Sequence, residues 1–356
     1  METKWINPDA QCSELILVGD IGGTNTNLGL VGVAQGKFTL IMECVFASAS
    51  ITGLLAPLQE TLRVAKERRA DLVPTRCCIS AAGPVSDNFC RMTNLSWEID
   101  GKALTLSLGI PVLVINDFLA ISYGIPTLDV NDPAQIHVLA HTDGSRPAPQ
   151  MTTKAVIGPG TGMGVSFLAF DGARYIPACS EGGHIGFAPF DDVTTAFQKY
   201  MAQKLGNPVP GVEPFVSGTG IRNLYAFWRD VKGLPETADW DAIEATPDAD
   251  RPKMISKLSD KDPVAAEMMR TFVKMLARFA SDISAVTLPL GGFYLAGGVA
   301  QKELRWIEKD GLFAQYFEQS YNANLMPLLK QVPLYLIKDY SISLYGAANA
   351  ALQITR

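Results

Sequence analysis

The feature of this sequence that most restricts its fold is a glycine- and threonine-rich turn that occurs twice. The two copies are GDIGGTNTNLGLV at 19–31 and GPGTGMGVSFL at 158–168. In both, an apolar run ends at the glycines and a second strand-like run follows at once, which predicts a β-hairpin. The glycine-rich loops of dinucleotide-binding and P-loop proteins lead instead into a helix; GxGxxG fails here at Met163, and GxxxxGK[ST] is absent. Both of those fold classes are therefore excluded.

Around these turns, short apolar runs alternate with longer segments of helical periodicity, which is typical of an α/β fold. A length of 356 residues, at roughly 150 per domain, suggests two domains with one hairpin each. We predict strands at 15–19, 27–33, 39–46, 77–81, 112–116, 154–158, 164–169, 292–295 and 334–337. We predict helices at 54–65, 194–205, 221–231, 265–287 and 343–353.

The composition excludes several functional classes. The chain carries 30 basic and 36 acidic residues without a basic stripe, so we expect no nucleic-acid partner. No apolar run approaches the roughly 18 residues of a membrane span, and no secretory signal is recognisable, so we expect no membrane partner and a cytoplasmic location. The six cysteines form no CxxC pair, which suits neither a zinc site nor a disulfide framework. An anionic ligand is expected to be held by backbone amides and a metal ion instead of a field of lysines.

The first turn, Asp20-Ile-Gly-Gly-Thr24, combines a carboxylate, glycine amides and a hydroxyl. Successive amides in such a turn form an anion-binding nest, and glycine lets a phosphate approach the backbone. The carboxylate of Asp20 can hold Mg²⁺ through water. The alternative is an ordinary hairpin with a glycine bulge. A second turn of the same plan, Gly158-Pro-Gly-Thr-Gly162, favours the phosphate interpretation.

Asn116 and Asp117 stand between the apolar run VLVI and the helical segment FLAISYG. Either residue suits a helix N-cap, and capping needs only one of them. A carboxylate at the C-terminal end of a strand can also accept the proton of a sugar hydroxyl during phosphoryl transfer. The two roles are compatible.

Glu181-Gly-Gly-His184 places an acid and an imidazole around a glycine turn. Carboxylates and neutral imidazole suit the recognition of polyols, because they pair with neighbouring hydroxyls. Zinc is the rival interpretation, but no further His or Cys stands at a suitable spacing. Glu213, before a helical stretch, would by itself be interpreted as a solvated loop acid. Ala296-Gly297-Gly298 fits nucleotide contact as well as it fits a tight strand–helix junction.

In this order, the motifs resemble the bacterial-type glucokinases of the sugar kinase, actin and heat-shock chaperone superfamily. The resemblance rests on LVGDIGGTN, MTNLSW, VINDF, GPGTGMGV, EGGHIGFAP, VSGTGIRNLY and YLAGGVA, and it covers the chain from about residue 15 to residue 353. It implies two ribonuclease-H-like (actin-like ATPase) α/β domains flanking a cleft. The smaller would comprise 1–118 plus 340–356, and the larger 119–339.

The resemblance also implies an activity, the ATP-dependent phosphorylation of D-glucose at its 6-hydroxyl, with ATP and Mg²⁺ as cofactors. Asp117 would be the catalytic base. The glucose ligands would be Asn116, Asp117, Gly162, Glu181, His184 and Glu213. The ATP-binding residues would be Gly19, Asp20, Ile21, Gly22, Gly23, Thr24, Gly160, Thr161, Gly297 and Gly298. A homodimer is implied by the resemblance alone.

Three features depart from the patterns of the family and its relatives. The related ROK (repressor, open reading frame, kinase) group carries a cysteine-rich zinc motif after the corresponding histidine, whereas IGFAP follows His184 here, so that zinc is not expected. Residues 1–13 have no obvious counterpart and are predicted to be disordered. A segment rich in Asp, Glu and Pro at 233–251 is interpreted as an insertion without an assigned role.

Three alternatives stay open from the sequence. The chain could be a kinase for another hexose, or one that uses polyphosphate or ADP as donor. It could be a catalytically silent sugar sensor or repressor, although no helix-turn-helix segment precedes residue 15 and Asp117 is present. It could also be an actin- or chaperone-like ATPase, against which the EGGH turn and Glu213 argue.

Overall fold

The computed structural model describes residues 1–92, 95–178 and 180–354 of the chain. They form two compact units. The first comprises Met1–Asp129, Tyr175–Pro177 and Asp339–Arg356, and the second Val130–Arg174 and Ala178–Lys338. Within these described ranges, no helix combines the length and the apolar character needed to cross a bilayer.

Strands and helices alternate as an α/β fold requires. The strands are β1 (Glu2–Trp5), β2 (Glu14–Ile21), β3 (Asn25–Ala34), β4 (Lys37–Ala47), β5 (Arg76–Ala81), β6 (Val85–Ser86), β7 (Phe89–Arg91), β8 (Glu98–Asp100), β9 (Val112–Asn116), β10 (Ile136–Leu139), β11 (Lys154–Pro159), β12 (Met163–Phe170), β13 (Tyr175–Ala178), β14 (Phe293–Leu295) and β15 (Leu334–Ile337). The helices are α1 (Leu55–Arg68), α2 (Gly101–Leu108), α3 (Asp117–Gly124), α4 (Asp192–Leu205), α5 (Gly218–Phe227), α6 (Ala238–Ala245), α7 (Arg251–Leu258), α8 (Pro263–Thr287), α9 (Gly297–Lys302), α10 (Leu304–Glu308), α11 (Leu312–Phe317), α12 (Met326–Leu329) and α13 (Ile342–Ile354).

The sheet of the first unit has six strands in the order β1-β4-β3-β2-β5-β9. β2 and β3 form an antiparallel hairpin, and β2, β5 and β9 run parallel. Successive side chains of β2 alternate between two cores: Leu15 and Leu17 join one, and Ile16 and Val18 join the other. A strand buried on both faces reads as a continuous apolar run, and this is why ELILV lacks polar positions in alternation.

The second sheet repeats this plan. Its six strands follow the order β10-β15-β14-β11-β12-β13, with β11 and β12 as an antiparallel hairpin and β11, β14 and β15 parallel. The long helix α8 buries one face in the core of this unit. The internal similarity seen in the sequence therefore corresponds to two sheets that each join a hairpin to a parallel set.

The C-terminal helix α13 packs closely on α3 in the first unit. At Gly346, a side chain would begin 1.8 Å from the carbonyl oxygen of Ala120, so the position admits only glycine without a shift of one helix. Asn349 Nδ2 donates a hydrogen bond to the carbonyl oxygen of Tyr123 at 2.8 Å. These contacts fix the position of α3, whose first residue is Asp117.

The predicted strands and helices are confirmed, with shifted ends; the helix predicted at 221–231 is α5 continued by a π-helical turn, Trp228–Lys232. The expectation of disorder at 1–13 is wrong. Glu2–Trp5 pairs antiparallel with β4, and Arg69 donates hydrogen bonds to the carbonyls of Pro8 and Ala10 at 2.7 and 3.0 Å. An edge strand of this length is too short to show a period in the sequence.

Two further differences concern the domain border and the segment at 233–251. The domain border predicted at 118 falls inside α3, whereas the two units meet in sequence at Asp129 and Val130, because α3 packs against α13. The segment at 233–251 carries α6, whose Trp240 is buried and donates from Nε1 to Asp262 at 3.1 Å. It is thus part of the core of the second unit.

Gly346→Ala should destabilise the first unit, because the added methyl group would force α13 away from the carbonyl of Ala120. Overpacking of this kind typically costs about 1–3 kcal/mol. We expect a lower Tm in thermal unfolding followed by circular dichroism. Gly53→Ala is the matched control, since nothing lies within 4 Å of a methyl group at that position. Equal Tm values for the Gly346 variant and wild type would contradict the close packing.

Candidate functional site

The first glycine turn joins β2 to β3, as predicted. The Gly22 N–H donates to the Asn25 carbonyl at 2.9 Å, and the buried Ser48 hydroxyl donates to the Gly22 carbonyl at 2.8 Å. Gly23 and Thr24 form the exposed tip of the turn. The hairpin was the alternative to a phosphate loop, and the structure shows the hairpin. The phosphate loop stays a prediction, with which an exposed tip is compatible.

Two residues of the proposed ATP loop, Gly19 and Ile21, are also packed in the hydrophobic core. Gly19 lies inside β2 with Ile79 and Leu28 against it, and Ile21 is fully buried. Only the backbone of these two positions can face a ligand. Asp20, between them, is half-buried, and its carboxylate accepts hydrogen bonds from the hydroxyls of Ser80 and Ser343, both at 2.8 Å.

Of the two roles expected for Asn116 and Asp117, the structure shows the helix N-cap. Asn116 Oδ1 accepts from the N–H groups of Phe118 and Leu119 at 2.9 and 3.3 Å, so Asn116 is the N-cap of α3. Asp117 is left as the first helical residue, half-buried, with Oδ1 accepting from the Phe118 N–H at 2.9 Å. Burial raises the pKa of Asp117, and the charge of Asp20 raises it further, against the lowering effect of the helix amide. A carboxylate with a raised pKa is better suited to accept a proton.

In the second unit, the glycine turn between β11 and β12 is tied to the N-terminus of α5. The Gly218 N–H donates to the Gly160 carbonyl at 2.8 Å, and the Thr219 hydroxyl donates to the Thr161 carbonyl at 3.0 Å. Ser217 caps the helix through the Gly220 N–H at 3.1 Å. A helix N-terminus carries partial positive charge, so the turn and the helix together form an anion-binding surface. The capping pattern in VSGTG was a signal for this second element, but its partner in the fold was not predictable from it.

Next to this turn the second unit has a pocket of about 710 Å³. Of the residues expected to bind ATP, Gly160, Thr161 and Gly298 line it. Gly297 begins α9 with a φ of 84°, a left-handed conformation that favours glycine, and a side chain there would begin 2.8 Å from the Pro159 carbonyl oxygen. The AGG turn is therefore a tight strand–helix junction, and nucleotide contact there stays a prediction.

Sequence reasoning missed most of the pocket wall. Basic side chains line it, although the net charge of the chain gave no sign of them; they are Arg222, Lys253, Lys257 and Lys302. Glu303 also lines the pocket, where it is buried and accepts from the Ser256 hydroxyl at 2.7 Å; burial raises the pKa of its carboxyl. Arg222 lies on α5, Lys253 and Lys257 lie on α7, and Lys302 ends α9 directly before Glu303. These residues share no recognisable motif.

The candidate sugar residues of the second unit come from distant segments. Glu213 Oε2 accepts from the Met163 N–H at 3.0 Å, and it lies so close to Gly162 that any side chain there would meet it at 2.4 Å. The Glu213 N–H in turn donates to the Gly183 carbonyl at 3.0 Å. The structure thereby joins Glu213 to both the glycine turn and the EGGH turn, so Glu213 is more than a solvated loop acid.

Glu181 and His184 lie at the two ends of that EGGH turn. His184 Nε2 lies 3.6 Å from Glu181 Oε2, and both side chains are exposed. Across the described ranges, no group of three or more His, Cys, Asp and Glu side chains is arranged to hold a metal ion. Cys179, and Thr93 and Asn94 of the MTNLSW motif, lie outside the described residues.

Comparison with known proteins agrees with this geometry. A family model described as Glucokinase matches residues 17–354. The glucokinase of Nostoc punctiforme is 33% identical over 354 residues, covering 96% of this chain and 99% of its own. The crystal structure of a glucokinase from an Antarctic psychrotroph superposes with a TM-score of 0.79 at 28% identity, covering 95% of this chain and 99% of that one.

A more distant structure shares the fold. A ROK family glucokinase from Streptomyces griseus, solved in complex with glucose and AMPPNP, matches with a TM-score of 0.60 at 19% identity, covering 95% of this chain and 99% of that one. The expected pair of actin-like ATPase domains is thus confirmed for the fold class. Because the family model spans almost the whole sequence and a full-length relative shares a third of its residues, the chain belongs to the glucokinase family.

Proposed function

We propose that Asp117 is the general base with which this chain phosphorylates the 6-hydroxyl of D-glucose. As a member of the glucokinase family, the chain is an ATP-dependent kinase of glucose. The observation that carries the assignment of the base is the environment of Asp117. Its carboxylate stands at the end of β9, half-buried, beside a cap that Asn116 already provides. Burial and the charge of Asp20 keep its pKa above the ordinary value.

The residues of the second unit would bind rather than react. Glu181, His184 and Glu213 would pair with sugar hydroxyls, together with the backbone of Gly162. Fixed partners support this, because Met163 and Gly183 hold Glu213 by hydrogen bonds on both its side chain and its backbone. Orientation of the hydroxyl toward a phosphoryl group is the main contribution that a kinase makes, since the reaction needs little covalent help.

The nucleotide would be bound by backbone groups and by the pocket of the second unit. Gly160 and Thr161, tied to the N-terminus of α5, suit the phosphates. Gly298 lines the pocket that would take the nucleoside, and Gly297 precedes it at the start of α9. In the first unit, the turn from Gly22 to Thr24 offers exposed amides to phosphate oxygens.

Mg²⁺ fits the donor set around Asp20. Each oxygen of this carboxylate accepts one serine hydroxyl, and a carboxylate oxygen keeps a further lone pair for a metal-bound water. Mg²⁺ retains several waters and is typically held by one or two carboxylates plus substrate phosphates, so a single aspartate suffices. When bound, Mg²⁺ would neutralise charge on the phosphates. The cytoplasmic location, the role in glycolysis and the homodimer stay predictions from the family.

Asp117→Asn should abolish most turnover while glucose still binds, because an amide cannot accept the hydroxyl proton. Loss of a general base typically costs about 10²–10⁴-fold in kcat. We would measure ADP release from Mg·ATP with and without glucose, and glucose binding by calorimetry. Since burial disfavours the ionised carboxylate, the Tm should not fall. Asp241→Asn, at an exposed aspartate of α6, is the control. Near-normal kcat in the Asp117 variant would refute the assignment.

The pH dependence offers a second check on the same residue. A base must be ionised, so activity falls as the pH decreases through the pKa of Asp117, which burial raises. We therefore expect the acid limb of kcat/KM for glucose to have its midpoint above the ordinary aspartate value of about 4. Circular dichroism at each pH would separate this limb from unfolding. A flat profile down to that value would contradict a raised pKa.

Glu181→Ala and His184→Ala should chiefly raise the KM for glucose, since both side chains bind rather than react. Loss of a hydrogen bond involving a charged group corresponds to roughly 10- to 100-fold in KM. The KM for ATP should stay within about twofold of wild type. Glu236→Ala, at an exposed glutamate of the same unit, is the matched control. Unchanged glucose kinetics in both variants would exclude the EGGH turn from the sugar site.

A further inference from the structure

Each oxygen of the Asp20 carboxylate accepts a hydrogen bond from a serine hydroxyl. Ser80 Oγ donates to Oδ1 at 2.8 Å, and Ser343 Oγ donates to Oδ2 at 2.8 Å. Ser80 is the register partner of Asp20 on the neighbouring parallel strand β5. Ser343 belongs to the first turn of α13, at the other end of the chain. Two donors on different oxygens leave the carboxylate plane little freedom to rotate.

Both hydroxyls are presented by rigid parts of the first unit. Ser80 is fully buried on β5, between β2 and β9, and Ser343 is 7% exposed. The turn before α13 is closed by the Ser341 N–H, which donates to Asp339 Oδ1 at 2.8 Å. Behind Ser343, α13 is locked to α3 by the contact of Gly346 with Ala120. The backbone of Ser343 is therefore held in place, and its hydroxyl can fix the orientation of the Asp20 carboxylate.

We infer that Ser343 is a positioning residue that sets the carboxylate of Asp20 for the Mg²⁺ of the bound nucleotide. The inference rests on the proposed role of Asp20. An oxygen that accepts one hydroxyl proton directs its remaining lone pair elsewhere, toward the water that a metal would bring. Groups that orient a ligand in this way are usually worth a factor of about 10–100 in metal affinity.

Ser343 acts through Asp20 and touches neither the nucleotide nor the sugar. Its substitution should therefore weaken the metal-dependent part of nucleotide binding and leave the metal-independent part unchanged. A merely structural serine would lower stability without this selectivity. The distinction can be measured without turnover.

The experiment titrates the full chain with the non-hydrolysable analogue AMPPNP by calorimetry, once with Mg²⁺ and once with EDTA. In wild type, Mg²⁺ should tighten binding. We call the ratio of the AMPPNP affinity with Mg²⁺ to that in EDTA the Mg²⁺ gain. In Ser343→Ala this gain should fall by roughly tenfold, the lower end of the effect of residues that orient a metal ligand, while the affinity in EDTA stays the same. Ser343→Thr keeps the hydroxyl and should restore the gain. Ser122→Ala removes a buried hydroxyl that bonds only within α3, to Phe118, and should behave as wild type.

Three further results decide the matter. A full Mg²⁺ gain in Ser343→Ala, with Asp20→Asn losing it, would overturn the role of Ser343 and leave that of Asp20 intact. A full gain in Asp20→Asn would overturn both. If Ser343→Ala fails to fold, Ser343→Thr together with Ser343→Cys, whose thiol is a weaker donor, serves instead. A full Mg²⁺ gain in Ser343→Thr with a reduced gain in Ser343→Cys supports the inference, and equal gains in the two variants refute it.

Discussion

The positions of the Asp20 and Asp117 carboxylates depend on the packing of α13 against α3. Gly346 admits the carbonyl of Ala120, and α3 thereby holds Asp117 at the end of β9. The same helix carries Ser343 to the carboxylate of Asp20. Since β2 and α13 lie at opposite ends of the chain, the geometry of both acids requires that the first unit be fully assembled.

The two acids differ because their surroundings differ. Two serine hydroxyls donate to Asp20, one to each carboxylate oxygen, and fix the orientation of the carboxylate. Asp117 instead experiences burial and the charge of Asp20, both of which raise its pKa. When neighbouring titratable groups stand in unlike environments, their roles separate. A carboxylate of fixed orientation suits the metal-binding role proposed for Asp20, and a group with a raised pKa suits the proton transfer proposed for Asp117.

The sequence predicted long elements and glycine turns well, because continuous apolar runs and periodic helices leave local signals. The hairpins around Gly22 and Gly160 are examples. It failed where a feature depends on distant partners. The strand Glu2–Trp5 forms because β4 offers it an edge, and Ser343 matters because folding brings it to Asp20. No local sequence pattern distinguishes Ser80, Ser343 or the pocket residue Glu303 from any other buried polar residue.

Net charge was informative about partners but not about the pocket. An excess of acidic residues argued that phosphates would be bound by backbone amides, and the turn at Gly160 supports that expectation. Yet four basic side chains line the neighbouring pocket, three of them lysines on α7 and α9. A total charge sums over the whole surface, whereas a ligand experiences the groups within about one Debye length, roughly 8–10 Å. Helices that fold together can therefore gather several basic side chains around one pocket of an acidic protein, and a total charge does not reveal such local clustering.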